Sequence, residues 1–213
     1  MAQKDIVYNY LVNKYEKGTP IFLSDVDIPE MKAVSVRQQI NKLVKNGQIK
    51  RFDTGIYYLP QESIFLSGSS LSVDEVIRRK YLLEKGESCG YVGGIVFANR
   101  IGLTTQVPGK YEIYTNKATT DLRETSMAGI SIIIRRPYVK INENNVKVLQ
   151  FLDLLKEVSD ISELIGRELR DRLLEYMKRS GIAFSTIEPY LRYYPDRIYK
   201  NMYEAGLLYG VSA

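Results

Sequence analysis

The chain has 213 residues, an ordinary apolar share of 45%, 30 Lys and Arg against 25 Asp and Glu, no histidine and one cysteine. That length holds one large domain or two modest ones, and the apolar share argues against disorder. Without histidine, and with Cys89 alone, a Ser-His-Asp or Cys-His nucleophile, a Cys/His zinc site and an intramolecular disulfide are all excluded, while the formal charge of +5 only weakly favours polyanionic partners.

The first helix is expected around Ile6, Val7, Tyr10 and Leu11, whose spacing makes one apolar stripe, and it ends before Gly18 and Pro20. MAQKDIVYNY lacks the apolar core of a signal peptide, and no apolar run approaches a membrane span, so a cytoplasmic location without membrane contact is expected. Phe22 to Val26 reads as a short second helix, broken by Pro29.

The stretch from Ser35 to Pro60, SVRQQINKLVKNGQIKRFDTGIYYLP, is the most telling. Val36, Ile40, Leu43 and Val44 fall on one helical stripe, Ser35 stands where a cap belongs, and Gly47 is a C-terminal stop after Lys45 and Asn46. Gln48 to Phe52 and Ile56 to Leu59 are β-prone runs around Asp53-Thr54-Gly55, which predicts a hairpin with a bulged turn. Three helices and a hairpin in this order predict a winged helix-turn-helix over residues 1–62, with recognition helix 35–46 and wing 48–60. Double-stranded DNA is the partner such a unit serves. Opposite the apolar stripe lie Gln38, Asn41, Lys42 and Lys45, flanked by Arg37 and Gln39, and not one is acidic. Arg37, Gln38 and Asn41 are candidate base contacts, because their side chains can bond base edges. Lys42, Lys45, Lys50 and Arg51 are candidate phosphate contacts, and Ser35 and Gln39 complete the predicted DNA-binding set. The competing reading is an amphipathic helix with a solvated basic face.

The small polar run Ser67-Gly68-Ser69-Ser70 marks the boundary to a second domain over 70–213. Ser72 to Leu83 predicts a helix capped by Ser72 with Asp74 and Glu75 in its first turn. Gly68-Ser69 before Asp74-Glu75 also faintly resembles a magnesium-dependent nucleotidyltransferase opening. Adjacent carboxylates on a helix, however, point about 100° apart, which suits a shared metal poorly. Gly90 to Gly94 (GYVGG) lacks the lysine and spacing of a phosphate-binding loop, so close helix packing is the expected reason for its glycines.

A short buried helix is expected to end at Gly102, followed by strands at Tyr111 to Thr115 and Ile130 to Arg135. Arg135, Arg136, Lys140 and Lys147 form a second basic stretch, either a phosphate-contacting patch or a solvated edge. From Asn145 the pattern is helical, with Leu149, Leu152 and Leu155 on one segment and Leu164, Ile165, Leu169, Leu173 and Tyr176 on another. A last helix follows Pro195 and stops at Gly206; in the tyrosine-rich tail, Tyr199 and Tyr203 are spaced for half-buried packing rather than base stacking. The fold class expected is α+β, a winged helix-turn-helix followed by a mixed α/β domain with a helical tail.

The winged stretch, followed by GGIVFANRIGLTTQVPGKYEIYTNKA from Gly93, resembles the AbiEi-type antitoxins of type IV toxin–antitoxin systems. The likeness is clearest over residues 1–136 and rests on packing patterns. It implies a transcriptional autorepressor that binds inverted repeats in its own promoter through Ser35 to Lys45 and the wing around Lys50 and Arg51. It implies a C-terminal domain that assists DNA binding and opposes a cognate toxin of nucleotidyltransferase fold. It also implies no enzymatic activity, no catalytic residues, no cofactor and no metal. The other readings are a ligand-responsive winged-helix regulator and, in last place, the magnesium-dependent nucleotidyltransferase.

Overall fold

A computed structural model describes residues 3–61 and 71–210, and the predicted polar boundary at 67–70 lies outside them. The architecture is mixed α and β, in two compact units, Met1–Lys80 and Tyr81–Ala213.

The first unit opens with helix α1 (Gln3–Lys14), strand β1 (Ile21–Phe22) and a 3-10 turn (Leu23–Asp25). Helix α2 (Ala33–Lys45) and a hairpin of β2 (Lys50–Asp53) and β3 (Ile56–Tyr58) follow. The expected second helix over Phe22 to Val26 is therefore a strand and a single 3-10 turn. Ile21 and Phe22 pair instead with Tyr57 and Ile56, making an antiparallel sheet of order β1-β3-β2. So few residues before Pro29 cannot repay helix nucleation, whereas an aromatic and a β-branched residue suit an edge pairing. The core gathers Val7 and Leu11 of α1, Ile21 of β1, and Val36, Ile40 and Leu43 of α2. Burying each such side chain contributes about 1.5–3 kcal/mol.

The cap of α2 also differs from expectation. Its N-cap is Lys32 without a side-chain bond, and Ser35 lies inside the first turn. Its C-terminus is as read: Gly47 takes φ +71° while its amide reaches the Val44 carbonyl and the Gln48 amide reaches that of Leu43, a Schellman stop. The hairpin is bulged between Arg51 and Asp53 and turns at Thr54-Gly55. Helix α3 (Val73–Ile77) is shorter than its pattern suggested, passing into a π turn over Arg78–Leu82.

The second unit begins with a small hairpin, β4 (Leu83–Glu84) and β5 (Glu87–Ser88). Strand β6 (Gly90–Gly93), helix α4 (Gly94–Arg100), and strands β7 (Lys110–Thr115), β8 (Leu122–Met127) and β9 (Ile130–Arg135) follow. Their sheet has the order β6-β7-β9-β8; β7 and β9 are parallel and the other pairs antiparallel. The glycines of GYVGG lie on and just after β6, so the close packing is of strand β6 against β7 and the π turn rather than helix against helix. A Cβ on Gly90 would stand 2.6 Å from the Tyr81 carbonyl oxygen and 2.7 Å from that of Tyr114.

Helices α5 (Val146–Ile161), α6 (Gly166–Ser180), α7 (Phe184–Leu191) and α8 (Arg197–Glu204) complete the chain. Helix α5 is the hub, packed against α4, β6, α7 and α8. Leu149, Leu152 and Leu155 are fully buried in it, as are Leu173 of α6 and Ile198 of α8. Ile165, placed by its spacing on an apolar helix face, instead precedes α6 and is exposed. No helix among the described residues is long and apolar enough to cross a membrane.

Candidate nucleic-acid interface

Between Met31 and Phe52 the chain carries six cations and no carboxylate. Helix α2 sorts these residues by face. Val36, Ile40 and Leu43 turn into the core, and Arg37, Gln38, Asn41, Lys42 and Lys45 are all exposed. Gln39, expected at the flank of the exposed face, is only 6% exposed. It stands three residues after Val36 and four before Leu43, which puts it on the core stripe and off the exposed face. Ser35 is half-buried.

The hairpin supplies two more cations. Lys50 is half-buried at the start of β2. Arg51 is exposed but folded onto the turn, Nε donating to the Asp53 carbonyl at 3.3 Å and Nη2 to Thr54 Oγ1 at 3.0 Å. Asp53 Oδ1 accepts from the Thr54 amide at 2.7 Å, so the carboxylate also closes the turn. Gly55, at φ +73°, supplies the left-handed residue that lets the bulged strand β2 reverse into β3 here. The result is a helix face that can enter a groove and a rigid turn carrying a guanidinium.

The second basic stretch is partly satisfied within the protein. Arg135 Nε donates to Glu112 Oε1. Arg136 pairs with Asp121 at 3.1 Å and donates to the Thr119 carbonyl at 3.0 Å. Lys140 and Lys147 are exposed. The tyrosine tail also departs from its pattern: Tyr199 and Tyr203 are 44% and 58% exposed, because α8 buries Ile198, Asn201 and Met202 on its opposite face.

Glu75 is not presented to a metal. Its two oxygens accept from Arg78 and Arg79 at 2.7–3.1 Å, and Arg78 foremost holds the carboxyl below its ordinary range. Gly68 and Ser69 lie outside the described residues. Among the described residues no group of three or more Asp, Glu, Cys or His side chains is placed to hold a metal.

Sequence reasoning missed a polar cluster around α5. Asp153, 2% exposed, accepts from Tyr91 Oη and from Lys156 Nζ at 3.0 Å. Tyr194 Oη lies 3.3 Å from both Asp153 Oδ2 and the Leu149 carbonyl. Lys156 also reaches Tyr114 Oη at 3.2 Å and Glu157 at 3.4 Å. Burial raises Asp153, although Lys156 opposes it; burial works against the charge on Lys156, but Asp153 and Glu157 outweigh it and raise it. Only the acid at an α5 core position could have signalled this cluster, since its tyrosine partners come from three distant segments.

Compared with known proteins, the chain matches no protein-family model and no curated sequence.

Proposed function

We propose that the first unit is a winged helix-turn-helix that binds duplex DNA, with α2 as recognition helix and the β2–β3 hairpin as wing. The observation that carries this reading is the exposed face of α2, where Arg37, Gln38, Asn41, Lys42 and Lys45 stand together without a carboxylate. Arg37, Gln38 and Asn41 read base edges, while Lys42, Lys45, Lys50 and Arg51 meet phosphates. With the resemblance to AbiEi-type antitoxins, the reading extends to a cytoplasmic autorepressor of a type IV toxin–antitoxin operon. Its second unit opposes a toxin of nucleotidyltransferase fold, and the protein itself is not an enzyme. A ligand-responsive regulator is the second reading, favoured by a cleft in the second unit.

The test is fluorescence anisotropy with duplexes carrying the inverted repeats upstream of the gene, titrated over a range of salt. Lys45→Ala should weaken all duplexes alike and reduce the salt slope by about one. Arg37→Ala should cost about 1–3 kcal/mol and relax sequence preference. Binding indifferent to both changes, or no binding, overturns the assignment.

A further inference from the structure

Tyr114, Arg135, Arg136, Tyr138 and Lys156 line a cleft of 350 Å³ in the second unit, beside Asp121 and Leu122. We propose that this cleft binds an aromatic anion of the nucleoside monophosphate class, with the ring against Tyr138 and the phosphate between Arg135 and Arg136. The inference stands independently of DNA binding by the first unit.

Four observations converge on it. The cleft lies at the carboxyl ends of the parallel strands β7 and β9, since Tyr114 is the penultimate residue of β7 and Arg135 the last of β9. In open α/β sheets ligands bind beyond the carboxyl ends of the parallel strands, and β7 and β9 are the parallel pair of this otherwise antiparallel sheet. Its size falls in the range of small-molecule sites.

The wall is cationic and aromatic. Arg135 uses Nε for Glu112, and no bond from its terminal amino groups to another described residue accompanies that one. Among the described residues, the Arg136 guanidinium is held by the Thr119 carbonyl and by Asp121, whose side chain is 91% exposed. An ion pair with so exposed a partner is worth little, so an incoming anion can displace it. Two neighbouring guanidinium groups suit the several oxygens of a phosphate.

Tyr138 is 48% exposed, with its ring 4.8 Å from that of Tyr194. A half-exposed aromatic ring, braced by Tyr194 and by the Lys156 ammonium 5.4 Å from its centroid, offers its remaining open surface as a stacking platform. Leu122, 48% exposed at the rim, adds apolar surface for a planar ring.

Beneath the wall lies the buried network of Asp153, Lys156, Tyr91, Tyr194 and Tyr114. Burying such a network is weak evidence for stability, and its cost makes sense where it fixes a binding surface. Here it anchors Lys156 and Tyr114 in the floor. Lys156 gives its ammonium to Asp153, Glu157 and Tyr114, leaving recognition of the anion to the two arginines.

Isothermal titration of the full chain tests the proposal, with adenosine and cytidine monophosphates, the free nucleosides, inorganic phosphate and 4-hydroxybenzoate as probes. A nucleoside monophosphate should bind more tightly than its nucleoside or phosphate alone. Arg136→Ala and Tyr138→Ala, each checked for an unchanged circular dichroism spectrum and melting curve, should each weaken binding about tenfold or more. Asp121→Asn should bind as well as the parent or more tightly, because it removes the competing carboxylate. The proposal is overturned if no nucleotide binds, if both alanine variants bind like the parent, or if 4-hydroxybenzoate binds more tightly than every nucleotide.

Discussion

The Tyr91 hydroxyl donates to Asp153 Oδ2 across 62 positions of chain, joining strand β6 to helix α5 inside the second unit. The Tyr91 ring also stacks on that of Tyr114 of β7, with centroids 5.2 Å apart and planes 20° apart. One aspartate therefore ties two strands, through Tyr91 and through Lys156 to Tyr114, to the helix that organises the other helices.

Asp153→Asn keeps the shape of the side chain but leaves Lys156, whose side chain is 15% exposed, with Glu157 as its one carboxylate partner among the described residues. Breaking a buried ion pair in this way costs about 3 kcal/mol. Urea denaturation followed by tyrosine fluorescence should show that loss, and a variant as stable as the parent would mean the network carries little energy.

Gly90→Ala should be nearly as damaging. The added methyl would meet two backbone carbonyl oxygens, which cannot move aside as a flexible side chain can. Such overpacking costs about 1–3 kcal/mol. Gly109→Ala is the matching control, since a Cβ there meets nothing within 4 Å and, like Gly90, it has no left-handed φ.

Cys89 should resist alkylation in the native protein. It is 4% exposed, its Sγ lies 3.5 Å from the Tyr81 carbonyl, and burial pushes the thiol up from its ordinary pKa. Thiolate is the reactive form, so burial and a raised pKa act in the same direction. Iodoacetamide labelling should be slow in buffer and rapid in denaturant; equal rates would show that the second unit opens locally at β6.

Glu163 gives a pH signature. The Thr105 amide, then the Thr105 and Thr104 hydroxyls, bond its carboxylate and hold its pKa below the usual value. A depressed native pKa contributes stability that is complete above the unfolded value, about 4.3, and is lost as pH falls through the native one. The parent should therefore melt above Glu163→Gln at neutral pH. The gap should close as the solution is acidified below about pH 4. A gap that does not change with pH would assign the effect to geometry rather than charge.

Gln38 and Gln39 are neighbours, one exposed and one buried. Gln38→Ala should alter DNA binding and leave the melting temperature unchanged; Gln39→Ala should lower the melting temperature and leave the intrinsic affinity of the folded protein unchanged. Anisotropy and thermal denaturation on the same samples separate the two.

Helix α2 and its hairpin were legible in the sequence because apolar spacing, Gly47 and Asp53-Thr54-Gly55 all mark the same boundaries. Gln39 was misplaced because a polar residue on a core stripe looks like a flanking residue until the stripe's width is known. Strand β8 escaped because LRETSM faces outward almost throughout and shows no alternation. Strand β6 escaped because two of its four residues are glycine, which weakens any strand signal. The exposure of Tyr199 and Tyr203 was hidden for a different reason. Their spacing fixes a shared face of α8, but only the packing of Ile198 and Met202 decides which face turns inward. The cleft by Tyr138 could not be seen at all, since it is assembled from β7, β9 and α5.

The two cores differ in when synthesis can complete them. Among the described residues the first draws on nothing beyond Leu59, whereas the second runs from Tyr91 to Leu207. A ribosome adding about 5–20 residues per second finishes the first core while most of the second is still untranslated. The first unit can thus fold while the chain is growing. Strand β6, with Tyr91 in place, must wait for Asp153 and the helices beyond it before its hydroxyl has a partner.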